Sequence, residues 1–374
     1  MSIAVIEDAI EDIRNGKMVI VVDEEDRENE GDLTMAAEKV TPEAINFMAT
    51  WGRGLICMPM TAERLEQLRI PEMVNQNESV LGTAFCVSIE GRKNVSTGIS
   101  ASDRAQTILT AVDPTTTPKD LIRPGHVFPL KGAEGGVLSR LGQTEASIDL
   151  ARLAGLAPAG VICEIMNADG TMARLPELEV FAAEHDLKVI TVVDLIKYRL
   201  KHEKFVRRIK SLPYKSEMGS FDLHVYENLL NQKLHLVFSK GEIGNGEPVI
   251  LRVQVSNALE DVFSLSRENG GSSLKRSLDI IEKEGRGALV YLRLDKTEAA
   301  LLEEIEQLTG QEASPYEETS IKDFGLGAQI VADLGISEVR LLTNHPRILV
   351  GLSGYGINIR EYLPYSSSSE RYSA

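Results

Sequence analysis

The chain has 374 residues, with 40 Lys+Arg and 56 Asp+Glu, and its formal net charge is −16. With 43% hydrophobic and 26% charged residues, the composition is that of a globular protein and excludes an intrinsically disordered chain. The acidic balance argues against nucleic-acid binding through bulk electrostatics, because neutralising phosphates requires clustered Lys and Arg.

Strand and helix patterns alternate along the first two hundred residues, which predicts an α/β domain. Isoleucines at positions 3, 6, 10 and 13 share one helical face, with Ser2 as a possible cap and Gly16 as the stop. Further helices are predicted at residues 42–50, 61–68, 144–153 and 177–185, and a last one is capped by Asp194 and runs into residues 201–208. Strands are predicted at residues 18–22, 55–58, 85–89, 95–99, 161–166 and 188–193.

The clearest change in composition lies at residues 200–216, where basic residues accumulate ahead of Pro213. Domain boundaries tend to fall in such segments, so we predict two α/β domains, residues 1–205 and 206–374. In the second domain, strands are predicted at residues 234–238, 249–255, 288–294 and 339–343, and helices at residues 273–284, 297–308 and 327–334.

An acidic segment follows the first predicted strand directly. Residues 23–32 read Asp-Glu-Glu-Asp-Arg-Glu-Asn-Glu-Gly-Asp, so seven of these ten residues are acidic. The segment lies at the carboxyl end of the strand, where α/β proteins usually bind ligands. So much negative charge repels itself, and a hard divalent cation with oxygen ligands relieves that repulsion. Arg27 adds a group suited to phosphate or carboxylate, so the segment favours a ligand site over a merely solvated loop.

A glycine-rich segment precedes the helix predicted at residues 144–153. Residues 131–143 contain four glycines, with Arg140 near the end. A glycine-rich backbone before a helix presents unpaired N–H groups and the positive end of the helix dipole, and both favour an anion. Arg140 adds the capacity for bidentate hydrogen bonding. The segment therefore predicts a site for a small phosphorylated ligand.

Two titratable residues have open roles from their sequence context alone. Glu164 lies within an apolar strand, where a carboxylate either faces solvent or is buried with a raised pKa and acts as a general base or acid. His126 lies in a segment rich in Pro and Gly that is predicted to be a loop, where surface and packing roles are the usual ones.

Cys57, Cys86 and Cys163 are odd in number, far apart and each among apolar neighbours. This pattern predicts free buried thiols in a reducing compartment rather than disulfides. The first residues lack the basic region and apolar stretch of a secretory signal. No segment approaches the ~20 uninterrupted apolar residues of a membrane span. The predicted location is therefore the cytoplasm, without membrane contact.

Five motifs occur in order along the first two hundred residues. They are the acidic segment 23–32, Ser-Ala-Ser-Asp-Arg (100–104), Arg-Pro-Gly-His-Val-Phe-Pro-Leu (123–130), Thr-Glu-Ala-Ser-Ile-Asp-Leu (144–150) and Gly-Thr-Met-Ala-Arg (170–174). Together they closely resemble 3,4-dihydroxy-2-butanone 4-phosphate synthase. The resemblance implies a homodimeric lyase of riboflavin biosynthesis, which converts D-ribulose 5-phosphate into L-3,4-dihydroxy-2-butanone 4-phosphate and formate without an organic cofactor.

The resemblance also implies roles for individual residues. Glu28 would bind Mg²⁺ or Mn²⁺, and His126 and Glu164 would be essential acid–base groups. The substrate, a small sugar phosphate, would be held by Arg27, Glu28, Asp32, Arg140, Leu141, Gly142, Gln143, Thr144 and Glu164. These residue types suit the reaction. Removing a proton beside a carbonyl needs a base, and a cation stabilises the oxyanion that develops.

One position departs from the family pattern. The family has a His before Thr-Glu-Ala as its second metal ligand, whereas this chain has Gln143. An amide oxygen is a donor that Mg²⁺ accepts, but it cannot titrate and differs from imidazole as a ligand. We therefore expect a metal held by Glu28 and Gln143, and an active enzyme with an altered metal preference.

The second half resembles a GTP cyclohydrolase II domain in residues 323–330, 341–347 and 354–356. That family holds Zn²⁺ with three cysteines, and this chain has Asn257, Glu268 and Gly270 in their places. Without thiolates there is no zinc and no activated water to open the guanine ring. We therefore predict no zinc and no cyclohydrolase activity. A structural, dimer-bracing or nucleotide-sensing role stays open.

A second hypothesis, of a different class, is a catalytically weakened or silent regulatory or scaffold protein built from two degraded domains. Gln143 and the missing cysteines motivate it. The retained acidic segment, His126 and Glu164 favour the enzyme, because degradation of the site would have reached them too.

Overall fold

The computed structural model describes residues 3–23, 27–79, 82–263, 273–293, 321–344 and 356–364. The chain forms two compact units, residues 1–199 and 200–374. Each unit contains one seven-stranded sheet with helices, so the predicted architecture of two α/β domains is confirmed. Within the described residues, no helix is both long and apolar enough to cross a membrane.

The first unit is a mixed sheet covered by helices. Its helices are α1 (Ile6–Arg14), α2 (Pro42–Phe47), α3 (Ala62–Gln67), α4 (Ala101–Val112), α5 (Gln143–Leu153), α6 (Leu175–His185) and α7 (Val192–His202). Its strands are β1 (Val19–Val22), β2 (Gly31–Ala36), β3 (Cys57–Met60), β4 (Ile89–Gly91), β5 (Leu121–Lys131), β6 (Gly160–Glu164) and β7 (Lys188–Thr191). The strand order across the sheet is β4-β5-β3-β6-β2-β1-β7.

The first helix and strand follow the apolar pattern of the sequence. Ile6, Ile10 and Ile13 are buried along one side of α1, at the spacing that a helical face requires. The helix begins after Val5 rather than after Ser2, which lies outside the described residues. Gly16 follows the helix with a φ of +79°, in the left-handed region that favours glycine. All four residues of β1 are buried.

The start of α7 differs from the prediction in its cap. The helix begins at Val192, and the hydroxyl of Thr191 accepts a hydrogen bond from the Asp194 backbone N–H over 3.0 Å. Thr191 therefore caps the helix, and Asp194 lies in its first turn, where its carboxylate accepts from the Thr191 hydroxyl.

Several elements of the first unit differ from the sequence prediction. Strand β2 and helix α4 were not predicted, and residues 95–99 form no strand. Strand β5 contains Pro124, Gly125 and Pro129, which are typical of loops. It nevertheless pairs with β3 on one side and β4 on the other. The placement of His126 in a loop was therefore wrong, because this residue lies on β5.

The second unit is built around a short parallel centre. Its strands are β8 (Val206–Ser216), β9 (Gly219–Asn228), β10 (Leu234–Lys240), β11 (Val249–Val255), β12 (Gly287–Leu292), β13 (Glu338–Leu342) and β14 (Asn358–Leu363). Its helices are α8 (Ala258–Asp261), α9 (Ser273–Glu284) and α10 (Ile321–Asp333). The strand order is β14-β13-β11-β12-β10-β9-β8, with β11 parallel to both β12 and β13.

The basic stretch after residue 200 differs from the prediction. Helix α7 ends at His202, and the following basic residues form β8, which pairs with β9 over its whole length. Most side chains of this edge strand are exposed and carry such charge readily, so composition here did not indicate a helix. The helix predicted at residues 297–308 lies outside the described residues.

Candidate active site

The acidic segment folds around one buried carboxylate. Asp23, at the end of β1, is 6% exposed. Its oxygens accept hydrogen bonds from Arg27 Nη1 at 2.6 Å, from the Glu28 backbone N–H at 3.2 Å and from the Glu30 backbone N–H at 2.9 Å. Residues 24–26 lie outside the described part of the chain. Asp23 therefore fixes the backbone that presents Glu28.

Arg27 brings together the two residues that the sequence assigned to a metal. Its Nη2 lies 3.0 Å from Glu28 Oε1, and its Nη1 donates to Gln143 Oε1 over 3.0 Å. Gln143 Nε2 in turn donates to the Glu30 carbonyl over 3.4 Å. Two oxygen atoms from segments more than one hundred residues apart therefore converge on one positive group.

A second pair of carboxylates lies on neighbouring strands. Asp32 on β2 pairs with Glu164 on β6 in the strand register, so both side chains stand on the same face of the sheet. Asp32 is 4% exposed, and burial, followed by the nearby Glu164 and Glu28, raises its pKa well above its usual range. Asp32 is therefore suited to carry a proton while a neighbouring carboxylate stays ionised.

Glu164 is held at its own end of β6. Its Oε2 accepts a hydrogen bond from the Leu55 backbone N–H over 2.8 Å. A Cβ on Gly54 would lie 2.5 Å from the same oxygen, so only glycine fits at that position. The carboxylate is half-buried and anchored through one oxygen, an arrangement that suits a base of fixed direction.

The neighbouring arginines only partly offset the burial and mutual repulsion of the acidic side chains around Asp23. Burial raises the pKa of Glu28, and the carboxylates of Asp23 and Glu164 add to that rise while Arg27 and Arg140 oppose it. The pKa of Glu30 is raised mainly by burial and next by the neighbouring Glu28 carboxylate. A bound cation would lower both, since an added positive charge favours the ionised carboxylates.

The donor set fits a magnesium-like ion better than a zinc-like one. In the described ranges no three His, Cys, Asp or Glu side chains are grouped as a metal site. Mg²⁺ is typically bound by about one or two protein carboxylates, and it keeps several waters or takes substrate oxygens. Glu28 and Gln143 offer a carboxylate and an amide oxygen, which are the hard donors that this ion prefers.

Two guanidinium groups lie near the start of α5, that of Arg140 from the glycine-rich segment and that of Arg27 from the acidic segment. Arg140 Nη1 pairs with Glu145 Oε2 at 2.8 Å, and Arg140 Nη2 donates to Thr83 Oγ1 over 3.1 Å. Gly142 precedes the helix, and a Cβ there would lie 2.6 Å from Arg140 Nη1 and 3.2 Å from Arg27 Nη2. A helix start flanked by two arginines is suited to a phosphate.

His126 and Glu164 lie on β5 and β6, the two strands that flank β3. Cys57 of β3 pairs with Phe128 on β5 and with Ile162 on β6, so each of the two residues lies two positions along its strand from a partner of Cys57. The pairing of β5 with β4 changes register next to His126, since Val127 pairs with Ile89 and Ile122 with Glu90. His126 Nδ1 lies 2.6 Å from Glu90 Oε2, and its side chain is 44% exposed.

Sequence reasoning missed several residues that shape this site. Glu145 accepts from the Ala133 backbone N–H over 3.0 Å as well as from Arg140. Arg174 Nη1 donates to the Glu28 carbonyl over 2.7 Å and also to the Asn29 carbonyl. Both residues belong to motifs quoted from the sequence, at 144–150 and 170–174. Asp23 likewise belongs to the acidic segment 23–32, whereas only the fold gives a signal for Thr83 and Glu90.

A polar cluster in the second unit surrounds the first of the missing cysteine positions. Asp261 accepts from Gln254 Nε2 at 2.7 Å, from the Asn257 backbone N–H at 2.9 Å and from the Tyr291 hydroxyl at 2.6 Å. Burial is the main cause of the raised pKa of the Tyr291 hydroxyl, and the hydrogen bond to Asp261 adds to it. The Asn257 side chain accepts from the Leu259 backbone N–H over 3.1 Å. Glu268 and Gly270 lie outside the described residues.

The fold and this site define an α/β enzyme domain for a small phosphorylated ligand, joined to a second α/β domain. Residues 7–198 match the 3,4-dihydroxy-2-butanone 4-phosphate synthase family, and residues 207–364 match the GTP cyclohydrolase II family. The chain belongs to the 3,4-dihydroxy-2-butanone 4-phosphate synthase family, in the form that carries a C-terminal GTP cyclohydrolase II domain.

Similar proteins cover nearly the whole chain. The riboflavin biosynthesis protein RibBA of Aquifex aeolicus is 49% identical over 98% of this chain and 93% of its own length. The crystal structure of RibBX, a two-domain 3,4-dihydroxy-2-butanone 4-phosphate synthase from A. baumannii, is 41% identical, with a TM-score of 0.80 over 96% of this chain and 99% of that one.

A solved structure that aligns with just over half of this chain carries magnesium. It is a 3,4-dihydroxy-2-butanone 4-phosphate synthase in complex with two magnesium ions, 42% identical, with a TM-score of 0.52 over 54% of this chain and 98% of that one. Taken with the domain matches, these relatives support 3,4-dihydroxy-2-butanone 4-phosphate synthase function in riboflavin biosynthesis. They do not favour the alternative of a silent scaffold.

Proposed function

We propose that the site in the first unit converts D-ribulose 5-phosphate into L-3,4-dihydroxy-2-butanone 4-phosphate and formate. The observation that carries this proposal is the convergence of Glu28, Gln143 and Arg27 beside the Asp32–Glu164 pair. The two products contain together all the atoms of the substrate. The reaction therefore needs no oxidant, reductant or organic cofactor.

The phosphate group is bound at the start of α5. Arg140 supplies a guanidinium, while Leu141, Gly142 and Thr144 belong to the backbone turn whose first N–H groups have no partner within the helix. Glycine at 142 lets the ligand approach, because the two neighbouring guanidiniums leave no room for a side chain. Glu145 keeps Arg140 in place and accepts from its Nη1.

Glu164 and Asp32 divide the proton chemistry. Glu164 takes the proton from the carbon beside the carbonyl, and the Leu55 N–H keeps its carboxylate pointed in one direction. Asp32, whose pKa burial raises, carries a proton and donates it in a hydrogen bond to a substrate oxygen. His126, on β5, is the second acid–base group.

Glu28 and Gln143 would hold a divalent ion, Mg²⁺ or Mn²⁺. That ion would stabilise the negative charge that develops on the substrate. Arg27 orients both ligands, because its guanidinium contacts each of their oxygens at 3.0 Å. Asp23 in turn holds Arg27, since its carboxylate accepts from Nη1 at 2.6 Å.

We expect the purified chain to release formate from ribulose 5-phosphate when Mg²⁺ or Mn²⁺ is present, and to stop when the metal is chelated. The measurement is an enzyme-coupled formate assay with the phosphorylated four-carbon product identified by mass spectrometry. Ribulose without its phosphate serves as the control, because it lacks the group that Arg140 binds. No formate with either metal would contradict the proposal.

The second unit has no GTP cyclohydrolase II activity and no zinc. Zinc sites of this kind need soft thiolate ligands, and the chain has no cysteine beyond Cys163. At the first of the three positions, Asn257 contacts the backbone, and the nearby Asp261 carboxylate is occupied by three hydrogen-bond donors. Neither residue offers a thiolate for Zn²⁺.

We expect near-zero zinc in the chain after purification with zinc in the growth medium. The measurement is elemental analysis, paired with an assay of GTP ring opening in added Zn²⁺. The matched variant is Asn257→Cys, which restores one thiolate and by itself should not create a stable site, because structural zinc takes about four ligands. One zinc per chain in the native protein would overturn the argument from the missing cysteines.

We propose a homodimer, as the family resemblance implies. We also propose a cytoplasmic location, which the three buried free cysteines support, because free thiols persist in a reducing compartment. The acidic charge and the absence of a membrane-crossing helix among the described residues give no reason to add a nucleic-acid or membrane partner.

A further inference from the structure

His126 is in contact with a carboxylate that the proposed chemistry does not use. Its Nδ1 lies 2.6 Å from Glu90 Oε2, within hydrogen-bond distance. The Glu90 side chain is 16% exposed, whereas that of His126 is 44% exposed. A carboxylate oxygen can only accept, so the shared proton belongs to Nδ1. In the neutral imidazole, the other ring nitrogen, Nε2, then keeps its lone pair.

The turn at residues 96–100 holds the Glu90 carboxylate in place. A Cβ on Gly98 would lie 2.0 Å from Glu90 Oε2, so the carboxylate packs directly against the Gly98 backbone. Asp103 fixes that backbone, because its oxygens accept from the N–H groups of Ser96 and Gly98 and from the Ser96 hydroxyl. These hydrogen bonds lower the pKa of Asp103 to about 2, and the bond from the Ser96 hydroxyl has the largest effect. The motif at residues 100–104 therefore supplies Asp103, which fixes the turn beside Glu90.

The backbone of His126 is fixed equally closely. Gly125 donates its N–H to Ser88 Oγ over 3.1 Å. A Cβ on Gly125 would lie 2.1 Å from the Ile89 carbonyl carbon, so no other residue fits there. Strands β4 and β5 are therefore packed backbone to backbone beside the Glu90–His126 contact. The register shift between Ile89 and Glu90 turns Glu90 relative to the regular ladder.

Strand β5 carries a second contact with a carboxylate, and this one lacks these features. Lys131 Nζ lies 2.6 Å from Glu72 Oε1, but their side chains are 43% and 39% exposed. No glycine backbone packs against that carboxylate in the described part of the chain. The Glu72 pair is an ordinary surface salt bridge, and it provides an internal comparison for the Glu90 pair.

We propose that Glu90 is the positioning residue of His126: it accepts the Nδ1–H, fixes the ring and leaves Nε2 as the proton-accepting nitrogen. Carboxylates play this part for catalytic histidines on unrelated folds, where they also stabilise the imidazolium that forms. The inference rests on the proposed function for the role of His126 as an acid–base group. The Glu90–His126 contact itself does not depend on that role.

The test combines turnover with a direct measurement of which His126 ring nitrogen carries the proton. We expect Glu90→Ala to lower kcat for formate release by at least about 100-fold, the smaller end of what a general acid–base group contributes. KM should stay within about threefold, because Glu90 does not contact the substrate. Glu90→Asp should recover part of kcat. Glu90→Gln preserves the side-chain shape and should still lose activity, because a neutral amide does not stabilise an imidazolium. Glu72→Gln, the matched control, should leave kcat unchanged.

The ¹⁵N spectrum of the neutral imidazole identifies which ring nitrogen carries the proton, with His126→Asn used for assignment. The native protein should show the proton on Nδ1, and Glu90→Ala should shift it toward Nε2. A native spectrum with the proton on Nε2 would overturn the inference, as would a Glu90→Ala variant with native kcat. If the native chain releases no formate, the proposed function fails and the spectrum alone decides whether Glu90 positions the ring.

Discussion

Glu164→Gln is expected to give a folded protein that releases no detectable formate from ribulose 5-phosphate. The Gln side chain keeps an oxygen that accepts from the Leu55 N–H, so the local geometry survives. It cannot take a proton, and loss of a general base costs about 100-fold to 10,000-fold in rate. The variant also removes one of two neighbouring carboxylates, which lets the raised pKa of Asp32 fall toward its usual range.

The loss of activity should therefore not come with a loss of stability. Removing the Glu164 charge lowers the cost of ionising the buried Asp32, so the thermal midpoint of Glu164→Gln should equal or exceed that of the native chain. Formate release and differential scanning calorimetry on the same samples test both halves. Glu66→Gln, an exposed change on α3, is the control and should alter neither. Native turnover in Glu164→Gln would show that another group removes the proton.

The elements that the sequence predicted well are those in which local pattern and tertiary burial agree. The isoleucine spacing of α1 and the β-branched run of β1 each match the face that the fold buries. Strand β2 was missed because Gly-Asp-Leu-Thr-Met-Ala has no β-branched run and follows a charged segment, and its polar–apolar alternation covers only residues 32–35; all six of its residues are buried between β1 and β6. Its strand conformation is determined by its pairing with β1 and β6 rather than by the preferences of its own residues.

Strand β5 shows a different limit of local reasoning. Its two prolines and Gly125 are typical of a loop, but the missing side chain of Gly125 falls where β4 and β5 pack closely. Likewise, the basic residues after 202 lie on an edge strand, where composition says little about helix or strand. In each case the partner strand, which is distant in sequence, determines the conformation.

The site could be predicted by motif but not by spacing. Glu28 and Gln143 were paired through the family resemblance, and nothing in their separation along the chain places both on the Arg27 guanidinium. Glu90 gave no signal at all, since its contact with His126 depends on the register shift at the end of β4. The supporting residues of the site are set by topology, which the sequence encodes only through the whole fold.

Gln143→His is expected to change the metal preference of the enzyme. The native amide oxygen is a hard, neutral donor that suits Mg²⁺, whereas imidazole favours transition metals. The substitution should lower the Mn²⁺ concentration needed for half-maximal formate release by at least about tenfold, an effect typical of changes around a metal site. The corresponding Mg²⁺ concentration should change less. Arg27 stays in place, because Asp23 and Glu28 still hold it.

Metal titrations of formate release with Mg²⁺ and with Mn²⁺ test this expectation, and the ratio of the two midpoints is the informative quantity. That ratio is insensitive to general damage, because a misfolded fraction lowers both curves equally. Gln67→His is the matched control, since Gln67 lies exposed on α3 and contacts Glu63. A ratio unchanged by Gln143→His would mean that residue 143 holds Arg27 and the acidic segment rather than the ion, and that Glu28 binds the metal without it.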